Sequence, residues 1–258
     1  MVARAAQKPR SWALAHPEAC LSSVQAAWLE QAILRLEADE PLPYVLGEWE
    51  FFGLSYAVSP AALIPRPESE LLVDHALAWC RQRSSQQAEV LRIADIGTGT
   101  GCIAISLAVN LPQVFLVGGD ISEAALLLAQ HNARLHQVSH HIALVQADLL
   151  TPFALQSFHL VCANLPYIPS LALRHLAVYE KEPVVALDGG PDGLDFIRRI
   201  ILQAPACLAS GGLLLAEIEA NQGQTVQEFA QKVIRNAQVN VYKDYSGKDR
   251  LLKVQFPG

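Results

Sequence analysis

The feature that most constrains the fold is an alternation of short apolar segments with segments of helical spacing across residues 90–236. The predicted strands are 90–96, 114–119, 142–145, 158–163 and 213–217, and the predicted helices are 102–110, 122–136, 194–208 and 222–236. Short apolar strands separated by helices are typical of a mostly parallel sheet covered on both faces. Two further segments, 239–242 and 251–256, flank a Ser-Gly turn and predict an antiparallel hairpin. We therefore predict an α/β fold with an antiparallel C-terminal end.

The chain before this alternation has a different pattern and predicts a small N-terminal part. Ser22 and Gln25 have the spacing of a capping box, and apolar residues then recur at helical spacing. Residues 44–58 are β-like and aromatic, with glycines as turn candidates, which predicts a linking hairpin. A stiff connector at 64–68 follows, then a helix at 69–83 and a polar loop at 84–87. The predicted units are a helical part with a hairpin linker over 1–65, and a larger domain over 66–258.

The composition excludes several classes of protein. With 52% hydrophobic and 17% charged residues, a chain of 258 residues can bury a large core, which excludes a disordered or collagen-like protein. The net charge of -6 disfavours direct binding along nucleic acid, and no apolar run approaches the roughly 18 residues of a membrane span. The five cysteines lack paired spacing and mostly lie in apolar runs, which predicts reduced core residues in a cytoplasmic protein.

A glycine-rich segment follows the first strand of the larger domain and opens a helix. It contains Gly97, Thr98, Gly99, Thr100 and Gly101. Glycines at this place let the backbone turn tightly and come close to a ligand. The spacing fits the dinucleotide-binding pattern only loosely, because Gly101 comes one residue too early for its third glycine. We predict a cofactor loop here.

Acidic residues follow the next two strands, where open α/β sheets bind ligands. Asp120 ends the second strand, and a carboxylate there can accept hydrogen bonds from both ribose hydroxyls of an adenosine ligand. Asp148 and Leu149 end the third strand in the same way, where an acid can accept from an adenine amino group and an apolar side chain can pack on the ring. Each Asp alone could simply cap a helix, but their positions at consecutive strand ends favour a cofactor site.

The tetrapeptide Asn164, Leu165, Pro166 and Tyr167 follows the fourth strand and is therefore expected to face the same crevice. An amide or aromatic amine nitrogen is a poor nucleophile because its lone pair is delocalised. The Asn164 side-chain oxygen and a neighbouring backbone carbonyl can hold its two N–H bonds and aim the lone pair at the sulfonium methyl of S-adenosylmethionine. Tyr167 can stack on the flat group. The tetrapeptide predicts methyl transfer to a planar nitrogen.

From residue 41 to 254 the chain resembles the release factor glutamine N5-methyltransferases, the HemK-type family. Beside the cofactor loop, four blocks carry the resemblance: Pro43-Tyr44-Val45-Leu46-Gly47-Glu48, Leu63-Ile64-Pro65-Arg66-Pro67-Glu68-Ser69-Glu70, Leu187-Asp188-Gly189-Gly190-Pro191-Asp192-Gly193-Leu194 within 182–195, and Gly247-Lys248-Asp249-Arg250. The second and third blocks are quite specific to that family. The glycine loop is common to S-adenosylmethionine enzymes, and many amino-methyltransferases have a version of the tetrapeptide.

The resemblance implies a Rossmann-like S-adenosylmethionine methyltransferase sheet and S-adenosylhomocysteine as the product. It implies methylation of the side-chain amide of the glutamine in the Gly-Gly-Gln loop of peptide-chain release factors. By this likeness, residues 97–101, Asp120, Leu149 and Asn164 contact the cofactor, and residues 164–167 hold the glutamine. The N-terminal part then helps to dock the release factor.

The chain departs from the family pattern in two places. The family usually has proline where Leu165 stands, and leucine brings an extra N–H and a freer φ angle. Pro166 still favours an extended Leu165, whose carbonyl remains an acceptor, so we expect activity to be retained. About forty residues precede the first block, where the family usually has a longer helical domain, so docking can be weaker or arranged differently.

Three other functions compete with this interpretation. A methyltransferase that acts on the amino group of adenine or guanine in nucleic acid uses a similar tetrapeptide, but the acidic net charge counts against it. A dinucleotide-dependent oxidoreductase would explain the glycine loop but not the tetrapeptide. A binding protein could have lost catalysis through Leu165. The eight histidines have no cysteine or acid at metal-ligand spacing, so we predict no metal site.

Overall fold

The computed structural model describes residues 1–86, 90–111 and 113–258. Within these residues the strands are β1 Glu48–Phe51, β2 Leu54–Ala57, β3 Leu91–Ile96, β4 Val114–Asp120, β5 Ile142–Gln146, β6 Phe158–Ala163, β7 Leu208–Glu217, β8 Gln238–Lys243 and β9 Asp249–Gln255. The α-helices are α1 Val2–Ala5, α2 Arg10–Ala15, α3 Ser23–Glu37, α4 Leu42–Leu46, α5 Glu70–Gln86, α6 Cys102–Asn110, α7 Glu123–Leu135, α8 Ser170–Leu173, α9 Asp195–Cys207 and α10 Gly223–Val233. Short 3-10 turns span Pro67–Ser69 and Val184–Ala186.

The main sheet has seven strands in the order β5-β4-β3-β6-β7-β9-β8. The pairs from β5 to β7 are parallel, whereas β9 pairs antiparallel with both β7 and β8. This arrangement confirms the predicted parallel sheet with an antiparallel C-terminal end. The strand order reverses between β3 and β6, whose last residues Ile96 and Ala163 lie opposite each other. The segments that follow these two strands are therefore neighbours at the carboxyl edge, where such sheets bind ligands.

Two apolar clusters cover the two faces of this sheet. The first contains buried side chains of α5, α6 and α7, and the second contains buried side chains of α9 and α10. Strand residues alternate between the clusters, as Ile93 in the first and Ala94 in the second illustrate. Among the described residues, no helix combines the length and the apolar character that a membrane crossing needs.

The N-terminal part begins with two short helices, α1 and α2, that the sequence patterns did not predict. The capping box is confirmed, because Ser22 Oγ accepts from Gln25 N and the Gln25 side chain accepts from Ser22 N. The predicted hairpin also forms, but the first residues of its predicted range, 44–46, lie in α4. Proline at the start of α4 and a left-handed Gly47 at its end, with φ +72°, explain this short helix.

The linking hairpin packs into the core of the larger domain. Phe51 and Tyr56 are almost fully buried there, and the Tyr56 hydroxyl lies 2.9 Å from Ser106 Oγ on α6. The fully buried Asn132 of α7 exchanges two hydrogen bonds with the backbone of Ala57 and also donates to the Thr100 carbonyl at 2.9 Å. One side chain therefore joins the hairpin to the predicted cofactor loop.

Several boundaries differ from the sequence-based prediction, and two of these differences change how a segment is assigned. Helix α5 continues to Gln86, so a loop over 84–86 is wrong, and Gln87 lies outside the described residues. Strand β7 begins at Leu208, earlier than the predicted start at 213, and it includes Gly211 and Gly212. Glycine is a weak strand former, which is why propensity placed the start after this pair.

Candidate active site

The predicted cofactor and tetrapeptide residues meet in one cleft at the carboxyl edge of the sheet. The predicted residues that line it are Gly97, Thr98, Gly99, Thr100, Asp120, Asp148, Leu149, Asn164, Leu165 and Pro166. Residues 61–66, which include the first part of the connector, and Phe196 of α9 complete much of its wall. Gly101 and Tyr167 lie next to the cleft without belonging to this lining. The structure thus brings together nearly all residues that the sequence singled out.

The glycine loop turns sharply between β3 and α6. Gly97 has φ +74°, and a Cβ there would lie 2.9 Å from the Asn164 carbonyl oxygen, so the loop and the tetrapeptide touch at this point. Gly101 has φ +79° and opens α6, and a Cβ there would lie 3.1 Å from the Ala129 side chain. Both the positive φ angles and the close contacts require glycine.

Asp95, the residue before Ile96 on β3, holds the glycine loop and the start of α6 through two hydrogen bonds. Its Oδ2 accepts from Thr98 Oγ1 at 2.7 Å and from Ala104 N at 3.1 Å, while its Oδ1 is buried with no hydrogen-bond partner among the described residues. Burial, helped by the negative charge of Asp120, raises the pKa of Asp95 to about 6 against the two hydrogen bonds. The sequence patterns assign no role to Asp95.

Asp120 lies at the end of β4 and joins the loop to the next segment. Its two oxygens accept from the backbone N–H groups of Gly99 and Ser122, both at 2.9 Å. Burial raises the pKa of Asp120, and these hydrogen bonds counter the shift. A carboxylate has about four acceptor positions, so Asp120 can still accept from hydroxyls in the cleft.

Asp148 and Leu149 lie two and three residues after β5. Asp148 is half-exposed and pairs through Oδ2 with Arg199 at 2.7 Å, while its other oxygen has no partner in the described part of the chain. Leu149 is buried and has a left-handed backbone with φ +53°. This uncommon conformation turns the chain at the strand end and places the apolar Leu149 in the cleft wall.

Asn164 directly follows β6 and has a fixed side chain. Its Nδ2 donates to Ser69 Oγ at 2.9 Å. Neither Asn164 Oδ1 nor the Leu165 carbonyl oxygen accepts a hydrogen bond from the residues that the structure describes, and both residues line the cleft. Two adjacent oxygens can therefore receive the two N–H bonds of a primary amide.

The backbone of the tetrapeptide is held by residues far along the chain. Gln222 donates from Nε2 to the carbonyl oxygens of Tyr167 and Gly193, at 3.0 and 3.1 Å. A Cβ on Gly189 would lie 2.8 Å from the Pro166 carbonyl oxygen, so the loop 187–194 packs directly against the tetrapeptide. The third resemblance block therefore supports the backbone of the tetrapeptide, a role that its sequence did not predict.

The connector is fixed to the cleft by a buried acid. Glu182 Oε2 accepts from Ile64 N at 3.0 Å, and Glu182 Oε1 pairs with the Arg66 guanidinium. The second and third resemblance blocks are thus joined through Glu182. In the described ranges, no three histidine, cysteine or acidic side chains converge on a metal site.

Solved structures with the same fold include several methyltransferases. The human METTL16 catalytic domain aligns with a TM-score of 0.61 at 18% identity, over 80% of this chain and 77% of that one. The ribosomal protein L11 methylase of Lactobacillus delbrueckii aligns with a TM-score of 0.54 at 19% identity, over 78% and 84%. At these identities the likeness shows the fold alone, which is that of S-adenosylmethionine-dependent methyltransferases.

Sequence comparison defines the family. Residues 1–47 match the PrmC N-terminal domain and residues 71–180 match the Methyltransferase small domain. The release factor glutamine methyltransferase of Moorella thermoacetica is 42% identical over 92% of this chain and 82% of its own length. The protein of the same name from Gloeobacter violaceus is 40% identical over 84% and 75%. The chain therefore belongs to the release factor glutamine methyltransferase family.

Proposed function

We propose that the protein transfers a methyl group from S-adenosylmethionine to the side-chain amide nitrogen, N5, of the glutamine in the Gly-Gly-Gln loop of peptide-chain release factors. The observation that carries the proposal is the pair of available acceptors, Asn164 Oδ1 and the Leu165 carbonyl, beside the glycine loop in one cleft. The names of the similar proteins support the substrate. S-adenosylhomocysteine is the expected product.

The cleft fits an adenosine-bearing methyl donor. The glycine loop lines the cleft from Gly97 to Thr100, so its backbone is exposed to a ligand there. Asp120 can hold the ribose hydroxyls, the available oxygen of Asp148 can accept from the adenine amino group, and Leu149 can pack on the ring. When bound, S-adenosylmethionine supplies an electrophilic methyl group on a positively charged sulfur.

The tetrapeptide prepares the amide nitrogen. Asn164 Oδ1 and the Leu165 carbonyl would accept its two N–H bonds, which orients the lone pair and favours the positive charge that develops on nitrogen. No general base is needed at the start, because the N–H becomes acidic as the new bond forms. The Leu165 side chain is buried and packs near Gly97, and we expect its carbonyl to serve as an acceptor in place of the carbonyl of the usual proline. Tyr167 remains a predicted stacking partner, while Pro166 provides apolar cleft surface.

The N-terminal unit 1–65 is proposed to dock the release factor, next to the cleft that its residues 61–65 help to line. This unit has exposed apolar side chains, such as Leu14 at 75% and Leu34 at 56%, that are available for contact with a partner. Four of the five cysteines are buried, and all are free thiols, which supports a reducing compartment such as the cytoplasm.

Purified protein incubated with methyl-labelled S-adenosylmethionine tests the proposal. A release factor should take up label, and a release factor whose loop glutamine is replaced by alanine should take up none. Label on the alanine variant, or none on the unaltered factor, would overturn the proposal. An oligonucleotide containing adenine and guanine serves as the comparison substrate and should stay unlabelled.

A further inference from the structure

A buried acid behind the cleft contacts Tyr167 of the tetrapeptide directly and reaches Asn164 through Ser69. Glu217, the last residue of β7, is 3% exposed and accepts from Ser69 Oγ at 2.5 Å and from the Tyr167 hydroxyl at 3.2 Å. Ser69 Oγ in turn accepts from Asn164 Nδ2 at 2.9 Å. A short hydrogen-bond chain thus runs from Glu217 through Ser69 to Asn164.

The donor-to-acceptor direction of these hydrogen bonds decides which end of the Asn164 amide faces the cleft. The two ends of an amide have nearly the same shape, so hydrogen bonds rather than packing decide its orientation. A carboxylate can only accept, so the single hydroxyl proton of Ser69 goes to Glu217. Ser69 is then left with lone pairs, which accept an N–H of Asn164. The Asn164 oxygen consequently points toward the cleft.

We propose that Glu217 is a positioning residue that sets the orientation of the Asn164 amide through Ser69 and fixes the Tyr167 hydroxyl directly. This inference rests on the proposed function, because only a substrate with N–H donors needs an oxygen at that place. Glu217 acts through Asn164 and touches no reacting atom.

Arg250 and two hydroxyl donors oppose the effect of burial on Glu217. Burial raises the pKa of Glu217, and the hydrogen bond from Ser69, the positive charge of Arg250 and the Tyr167 hydroxyl counter that shift, while Glu68 adds to it. Arg250 lies on β9, the strand next to β7, and is itself held by Asp244 at 3.3 Å. The buried acid thus has a cation and two hydroxyl donors to support its negative charge.

Glu217→Gln is the sharpest test, because glutamine has the same shape but carries an N–H donor. The new donor can reverse the chain, so that Ser69 donates to the Asn164 oxygen and the Asn164 N–H bonds turn to the cleft. We expect kcat for release-factor methylation to fall about 10- to 100-fold. The KM for the release factor and the Kd for S-adenosylhomocysteine should stay within about twofold, because only one amide changes its orientation while the glycine loop, Asp120 and the N-terminal unit are unaltered.

The matched control is Glu219→Gln, two residues further along, where the carboxylate accepts from Asn221 alone. It should leave kcat unchanged. Ser69→Ala should lower kcat as Glu217→Gln does, and Ser69→Thr should restore most of the loss because it retains the hydroxyl. The kcat of the double variant Ser69→Ala with Glu217→Gln should lie within about twofold of the kcat of the slower single variant, since both substitutions interrupt the same series of hydrogen bonds.

Three results would overturn the inference while leaving the proposed function intact. The first is an unchanged kcat in Glu217→Gln. The second is a double variant whose loss of kcat equals the product of the two single losses. The third is a loss of kcat that is fully explained by a smaller folded fraction, as measured by thermal unfolding. If Glu217→Gln fails to fold, the comparison of Ser69→Ala with Ser69→Thr decides, because equal kcat in these two contradicts a role for the hydroxyl. An unaltered protein that methylates no glutamine would remove the proposed function and this inference together.

Discussion

The cofactor loop and the tetrapeptide lie side by side, but the chain supports them in opposite ways. The loop is held by residues at short and moderate sequence separations, as Thr98 bonds to Asp95 three residues away, and Gly99 and Thr100 bond to Asp120 and Asn132 at separations of 21 and 32. The tetrapeptide is held from afar, because Asn164 bonds to a serine 95 residues away and Tyr167 to an acid 50 residues away. A motif of the first kind needs only the next strand and helix of the chain for its support, whereas one of the second kind depends on the finished fold.

The cofactor loop and the tetrapeptide should also serve different steps of the reaction, cofactor binding and methyl transfer. The loop and its acids present backbone and carboxylates to the cofactor, so damage there should weaken binding. The tetrapeptide presents two oriented acceptors to the amide, so damage there should slow turnover. Variants in each region therefore separate the two roles.

The largest effect is expected for Asn164→Ala. Loss of the oriented oxygen should lower kcat about 100- to 1000-fold at saturating substrates, the range seen when one fixed transition-state hydrogen bond is removed. Steady-state methylation of a release factor measures it. Asn110→Ala, at the exposed end of α6 where the amide donates to Ser106, is the control and should keep full turnover. Full turnover in Asn164→Ala would contradict the role of the tetrapeptide.

A smaller effect of the opposite kind is expected for Asp120→Ala. Loss of an ionised acceptor for the ribose hydroxyls should weaken binding of S-adenosylmethionine about 100-fold, since each such hydrogen bond contributes about 1.5–3 kcal/mol. Turnover at saturating cofactor should change less than about threefold. Titration calorimetry measures the affinity. Asp148→Ala is the comparison and should weaken it less than tenfold, because Asp148 is half-exposed and paired with Arg199.

The smallest effect concerns pH and the buried anchor of the loop. The folded pKa of Asp95, about 6, lies above the roughly 3.9 of an unfolded chain, so folding favours its protonated form. Its contribution to stability is therefore present at low pH and is lost as the pH rises through 6. Between pH 8 and pH 5 the protein should gain about 1 kcal/mol in free energy of unfolding relative to Asp95→Asn.

Urea unfolding of both proteins at pH 5, 6.5 and 8 measures this difference. A difference that is the same at all three values would mean that Asp95 does not titrate in the folded state. The two-state assumption can be checked by following fluorescence and circular dichroism together.

The comparison also explains what the sequence could and could not predict. The sheet, the cofactor loop and the tetrapeptide were predictable, because periodicity and local glycine patterns are properties of short segments. Gln222 and the glycines at 189 and 193 could not receive a role in advance, since their contacts with the tetrapeptide exist only after the strands have paired. The helix α4 was missed because aromatic residues hid the proline and glycine signals at its two ends.

Glu217 had a signal that could have been used. Like Asp120, it is an acid at the end of an apolar strand, and the carboxyl edge of a parallel sheet is where such acids meet ligands or their supports. Ser69 had a weaker one, since it lies in a block already linked to the family. The connection of Glu217 and Ser69 to Asn164 could not be predicted because the three residues are far apart in the sequence.

The hydrogen bonds from Glu217 through Ser69 to Asn164 join residues far apart in the sequence, which affects the order in which the site forms during synthesis. Strands β3 to β6 and the cofactor loop are made before β7, so a growing chain can complete the glycine turn while Glu217 is still missing. Until β7 pairs with β6, the Asn164 amide has no acceptor-only partner behind Ser69 to determine its orientation. A ribosome-bound intermediate can thus acquire its cofactor pocket early, whereas the oriented amide is set late, when the sheet closes.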